Sequence, residues 1–147
     1  MAVCFTPHIQ RLPDTVPFIG PETLERQSSR LFKARLGANE SAFGISPNAQ
    51  SAIVEAAATT GCSWYGDPEN YELRALLAER HGIPMNNICV DAGIDSLLGL
   101  SIRLFVAPGQ AVVTSLGAYP TVNYHVRGFG GALHTVPYRD THEDPIA

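Results

Sequence analysis

The sequence predicts an α/β fold. In the C-terminal half, short β-branched runs alternate with helical patterns, and glycine or proline marks the switches. The run DSLLGLSIRLFV from Asp95 is apolar almost all round, as a helix buried against a sheet must be. The 147 residues, 45% hydrophobic and 16% charged, have a globular composition. A chain of this length buries ~70% of its unfolded surface.

The elements follow in order. Met1 to Gly20 holds Pro7, Pro13 and Pro17 and shows no steady period, so it reads as an extended arm that packs on something else. Pro21-Glu22 starts a short helix, because proline fits the first helical position and an acid suits the positive end. RLFKARLGANESAFGISP is loop or short strand. Ser46-Pro47 is the cap and first residue of an alanine-rich helix, NAQSAIVEAAATT, that ends near Gly61. Asp67-Pro68 repeats the start signal before ENYELRALLAERH, which sets Leu73, Leu76 and Leu77 on one face and stops at Gly82.

Pro84 to Asn87 is a turn, and Ile88 to Val90 centres a short buried strand. The helix from Asp95 is broken by Ala107-Pro108-Gly109. Gln110 to Ser115 is a second strand, Tyr119 to Phe129 a helix, and Ala132 to Val136 a third strand. Strand, helix, strand, helix, strand implies right-handed crossovers and a parallel or mixed sheet.

Several function classes find no support. A net charge of −4 with nine scattered arginines makes no electrostatic case for nucleic acid or an anionic membrane. Cys4, Cys62 and Cys89 form no C-x-x-C, so neither a disulfide framework nor a zinc site is indicated. The five histidines show no H-x-x-x-H or H-E-x-x-H spacing, and His142-Glu143-Asp144 reads as a solvated tail. No G-x-S-x-G elbow and no G-x-G-x-x-G fingerprint is present. Prolines and an arginine interrupt the N-terminus where a signal peptide needs an apolar stretch, and no window approaches the ~20 apolar residues of a membrane span. A soluble cytoplasmic protein is the simplest expectation.

The stretch CVDAGIDSLLGLSIRLF carries the chemistry. Its turn, Asp91 to Ser96, lies where a strand is expected to end and a helix to begin. Helix-start N–H groups lack internal partners and carry partial positive charge, and Gly93 lets the backbone approach an anion closely. The competing reading is that Asp95 caps the helix with its own carboxylate. Tyr119, in SLGAYPTVNYH, follows a strand and a glycine, so its ring is expected at the same carboxyl edge of the sheet as Gly93, where α/β folds bind ligands. An aromatic beside an anion-holding turn suits a flat, phosphorylated cofactor. In SWYGDPENYELRALLAERHG, Tyr65 sits in the loop before a helix cap and has a hydroxyl to offer.

LGANESAFGISP, WYGDPENYELRALLAERHGI and NICVDAGIDSLLGLSIRLFVAPGQAVVTSLGAYPTVNYHV, in that order, resemble the N-terminal part of a fold-type-I, pyridoxal-phosphate-dependent aminotransferase, closest to the histidinol-phosphate aminotransferase-like branch. The resemblance implies a three-layer large domain, here incomplete, over residues 36–147, preceded by an arm and short helix over residues 1–35. It implies that Gly93, Ile94 and Asp95 cradle the phosphate of pyridoxal 5'-phosphate, with Ile94 in place of the family's small or hydroxylated residue and Ser96 offering a hydroxyl instead. Tyr119 matches the aromatic that stacks on the pyridine ring. Tyr65 matches a tyrosine that reaches the partner subunit's phosphate in a homodimer, and the arm would cross onto that subunit. Asn39 and Glu40 match the start of a segment at the substrate entrance, although Ser41-Ala42 departs from its pattern.

The same resemblance implies a Schiff-base lysine, an acid at the pyridine nitrogen and an arginine for the substrate carboxylate, all in a region beyond Ala147. Lys33 is the only lysine and reads as a solvated surface residue, so no catalytic residue is assigned in this chain. The activity implied is amino-group transfer between an amino acid and a 2-oxo acid. A decarboxylase or lyase on the same scaffold, or a non-catalytic truncated remnant acting as an interaction module, are the alternatives.

Overall fold

The computed structural model describes residues 4–14, 17–35, 40–41, 43–59 and 64–138. They form two compact units, Met1–Phe18 with Cys89–Ala147, and Ile19–Ile88.

In the unit Ile19–Ile88, prolines and glycines set the helix limits. Helix α2 (Pro21–Ser28) begins with proline after an extended Gly20 and ends on Ser29 in the left-handed region at φ 52°. The Arg35 guanidinium forks onto it, with Nη1 2.6 Å from Glu22 Oε1 and Nη2 2.8 Å from Glu25 Oε2. Helix α3 (Pro47–Thr59) has the expected start, its first ladder bond running from Gln50 N–H to the Ser46 carbonyl at 2.9 Å.

Helix α4 (Tyr71–His81) is capped from a distance. The Asp67 carboxylate accepts the N–H groups of Glu69 (3.0 Å) and Tyr71 (2.7 Å), which hold its pKa below the usual aspartate value. Gly82 closes the helix at φ 63°, and Ile83 N–H reaches back to the Ala78 carbonyl at 3.2 Å. The apolar face expected of this helix is only partly inward: Leu73 and Leu76 are exposed, and Leu77 is half-buried. Arg74 fixes the rotation instead, donating to the carbonyls of Ile88 (3.1 Å) and Met85 (3.0 Å) around the 3-10 turn Met85–Asn87. A guanidinium that satisfies two loop carbonyls outweighs a weak leucine stripe with little to pack against.

The other unit is built on a parallel pair, β1 (Ala111–Ser115) and β2 (Ala132–Val136), in register from Ala111 with Ala132 to Ser115 with Val136. Helix α6 (Pro120–Gly128) makes the crossover and packs on β2 and on α5 (Ile94–Phe105). Val126 of α6 is fully buried. A Cβ at Gly99 of α5 would stand 2.9 Å from Cε1 of His125, so glycine is what allows α5 and α6 to approach this closely. Gly131 is similarly confined, with Val106 Cγ1 and Val126 Cγ1 each 3.0 Å from where its Cβ would be.

Two expectations change in this unit. Ile88 to Val90 forms no strand: Ile88 has extended torsions, but the described sheet is the β1–β2 pair alone, and an extended segment becomes a strand only with a ladder partner. The arm is not wholly extended. Pro7–Gln10 forms a short helix, α1, led by Thr6 and packed on α6, and Tyr124 Oη donates to the Pro13 carbonyl at 3.0 Å. Proline at the first helical position starts this turn as it starts α2.

The packing yields two expectations for urea unfolding. Val126→Ala is expected to lower stability by about 2 kcal/mol through lost burial. Gly99→Ala is expected to lower it by about 1–3 kcal/mol through overpacking against His125, and a second change of His125→Ala should recover part of that loss.

Candidate functional site

The start of α5 is organised by the backbone of Gly93. It occupies φ 90°, ψ 167°, a region essentially closed to residues with a Cβ. Having no side chain, it cannot cap the helix, and the first-turn N–H groups of Ile94, Asp95 and Ser96 receive no side-chain hydrogen bond among the described residues. Beyond its chain neighbours and the backbone of the helix, no atom of the described residues lies within 4 Å of the position a Gly93 Cβ would take, so the approach to this turn is open among them.

The turn before the helix is held by Asp91. Its carboxylate accepts the Ser96 hydroxyl and the Ala92 N–H (2.7 Å), and its carbonyl accepts the Gly93 N–H (2.8 Å). The Ser96 hydroxyl first, and the Ala92 N–H second, hold the Asp91 carboxyl below its usual range. This corrects two readings. Asp95 is exposed in the first turn and does not cap; its charge answers the helix dipole without a hydrogen bond. Ser96 is committed to Asp91, so its proton is not offered outward.

Tyr119 is the residue that precedes α6, and it is 46% exposed. The turn that presents it is clamped. Ser115, 4% exposed at the end of β1, donates through Oγ to Tyr138 Oη at 3.2 Å, and the Tyr138 ring lies where a Cβ at Gly117 would collide. Tyr138, just beyond β2, thus pins the 116–118 turn from the neighbouring strand. The glycine of SLGAYP was a visible hint of close approach; nothing in the sequence pointed to the tyrosine.

Gly93, Ile94, Asp95 and Tyr119 therefore lie in one unit, at the N-termini of two helices packed on each other. Tyr65 and Glu40 belong to the unit Ile19–Ile88, where both are exposed. Asn39 lies outside the described residues, as do Ala42 and Cys62. Among the described residues no three His, Cys, Asp or Glu side chains gather as a metal site, and no helix is long and apolar enough to cross a membrane.

An open helix N-terminus headed by a glycine-only conformation can take an anion, and an exposed aromatic heading the next helix can stack on a flat group. The chain belongs to the aminotransferase class I and II family, whose model matches residues 33–144.

Among solved structures, it is similar to histidinol-phosphate aminotransferase from Sinorhizobium meliloti in complex with pyridoxal-5'-phosphate. Identity is 54% and the TM-score 0.84, over 95% of this chain and 36% of that one. Among curated proteins, the histidinol-phosphate aminotransferase of Anaeromyxobacter sp. (strain Fw109-5) is 32% identical over 133 residues, covering 90% of this chain and 36% of that protein. That of Rhodospirillum rubrum is 30% identical over 128 residues, covering 87% and 34%. The chain spans about a third of the length of these relatives.

Two measurements test the site's construction. Gly93→Ala is expected to cost of order 1–3 kcal/mol through torsion alone, since space is free, whereas D-alanine placed there by semisynthesis should be tolerated. The depressed Asp91 pKa means that its bonds support the folded state above the ordinary value of 3.8 and are lost as pH falls through the lower folded value. An NMR titration of Asp91 should show this, and Ser96→Ala should bring its midpoint back up toward the ordinary value.

Proposed function

We propose that this chain supplies the phosphate and ring ends of a pyridoxal 5'-phosphate site in an aminotransferase that moves an amino group between an amino acid and a 2-oxo acid. The observation that carries this reading is the open start of α5 behind Gly93, in a chain 54% identical to a pyridoxal-phosphate-bound aminotransferase. The amides of Ile94 and Asp95 would hold the phosphate, and the Tyr119 ring would stack on the pyridine. Exposed Asp95 opposes an anion there and limits affinity. When bound, the cofactor supplies the electron sink that amino-group transfer requires.

The chain's own residues bind and orient. Asp91 and Ser96 fix the turn at Gly93, Tyr138 and Ser115 fix the turn that leads to Tyr119, and Tyr65 is assigned to the phosphate of a second subunit in a cytoplasmic homodimer. Asn39 and Glu40 are assigned to the substrate entrance. In this reading residues 1–35 are the arm and residues 36–147 the first part of the large domain. Proton transfer and attachment of the cofactor fall to a lysine outside residues 1–147, since the only lysine here, Lys33, lies within the 1–35 segment assigned to the arm. A non-catalytic role as an interaction module has one observation in its favour, the uncovered apolar end of α5, where Leu104 is 74% and Phe105 77% exposed.

Equilibrium dialysis with pyridoxal phosphate tests the reading. The chain is expected to bind it weakly, and Tyr119→Ala and Gly93→Ala should each weaken binding about tenfold. Borohydride reduction at stoichiometric cofactor should leave Lys33 unlabelled. Binding unchanged in both variants, or specific labelling of Lys33, overturns the assignment.

A further inference from the structure

A cavity of about 220 Å³ in the unit that carries α6 is lined by His8, Arg11, Arg127, Gly130 and Gly131. It is too small for a drug-sized ligand and roomy enough for a small ion or ester. Three basic side chains line it, and among the described residues no carboxylate does. The Arg35 fork is the only ion-pair network among the described residues, and neither the Arg11 nor the Arg127 guanidinium makes an ion pair or hydrogen bond within them.

The simple account of such arginines is that they cap helix ends. Arg11 follows α1 and Arg127 lies in the last turn of α6, where cations answer the helix dipole. The carbonyls there already have partners, however. Phe129 N–H takes the His125 carbonyl (2.9 Å), Gly130 N–H that of Arg127 (3.0 Å), and Gly131 N–H that of Val126 (2.8 Å). In α1, Leu12 N–H takes the Ile9 carbonyl at 3.1 Å. Neither guanidinium bonds to these carbonyls, and two exposed guanidiniums with a histidine around one concavity make a positive pocket that suits an anion.

The walls are fixed by the fold. Gly130 sits at φ 86°, and a Cβ there would lie 3.5 Å from Pro108 Cβ and 3.9 Å from His8 Cγ, so the imidazole is seated against this turn. His8 Nε2 lies 3.3 Å from Thr6 Oγ1, which leaves Nδ1 without a hydrogen bond among the described residues. The cavity adjoins the residues before β2, whereas Tyr119 stands beyond the end of β1, so the two places lie at opposite ends of the parallel pair.

We propose that this cavity binds a phosphate group, free or esterified, between the guanidiniums of Arg11 and Arg127 with His8 as third contact. Guanidinium forks match phosphate oxygens two at a time, and the backbone of Gly130 and Gly131 lies under the ion without being needed as donor. The site is independent of the assignment made for Gly93, because it shares no residue with it.

The test is ¹⁵N NMR of the whole chain, titrated separately with inorganic phosphate and with glycerol 3-phosphate, against sodium chloride at matched ionic strength. Saturable shifts of the Gly130 and Gly131 amides are expected, about tenfold weaker in Arg11→Gln and in Arg127→Gln and unchanged in Arg103→Gln. Tighter binding of glycerol 3-phosphate would assign the site to phosphate esters, and equal binding to free phosphate. Shifts that fail to saturate, that chloride reproduces, or that survive both arginine changes overturn the proposal. Shifts confined to Ile94 and Asp95 also overturn it, while leaving the reading of that turn intact.

Discussion

Where α5 meets α6, the missing side chain of Gly99 admits the His125 ring, and on that contact the placement of both helix starts depends. With α5 held off by even one methyl group, Gly93 and Tyr119 would move apart by an amount comparable to the tolerance of a binding site. His125 also stacks on Phe129 at 6.3 Å between ring centroids, so the contact extends to the end of α6. Its Nε2 is buried without a hydrogen-bond partner, as are Thr121 Oγ1 and Asn123 Oδ1. Each such group costs about 1–3 kcal/mol, so the helix is positioned more tightly than it is stabilised.

The packing around that contact is thin. Val126 is the one fully buried large hydrophobic side chain among the described residues. Leu104, Phe105, Val113 and Leu116 stay largely exposed, and a two-stranded sheet consists of two edges. A cavity of about 390 Å³ beside α5, lined by Leu97, Leu100 and Leu104 among others, belongs to the same uncovered face. The local geometry of the site is thus set by backbone torsions and a few hydrogen bonds, with little of the burial that ordinarily supports an active site.

Sequence pattern disclosed the helices well, and for a physical reason. Proline at Pro21, Pro47 and Pro120 and glycine at Gly82 constrain the chain locally, so they act the same way whatever surrounds them. Strand β2 was legible to the residue because it lies between Gly131 and Pro137. What failed depended on distant partners. Ile88 to Val90 has strand composition without a neighbour, and Leu73 and Leu76 have helical spacing on a helix whose rotation Arg74 decides. At the candidate site, Gly93 and Tyr119 announced themselves, but Asp91 reaches five residues forward to Ser96, and Tyr138 reaches back across a whole crossover. Neither reach leaves a mark in local composition.

The hold of Tyr138 on Gly117 and Ser115 bears on how the chain is made. A ribosome releases β1 and the turn after it well before β2, and a parallel pair cannot close until its crossover is complete. The 116–118 turn that leads to Tyr119 is therefore left unanchored through the synthesis of α6 and β2 and is fastened only when Tyr138 emerges. The turn before α6 is thus among the last parts of this unit to be fixed, because its anchor lies two residues past the end of β2.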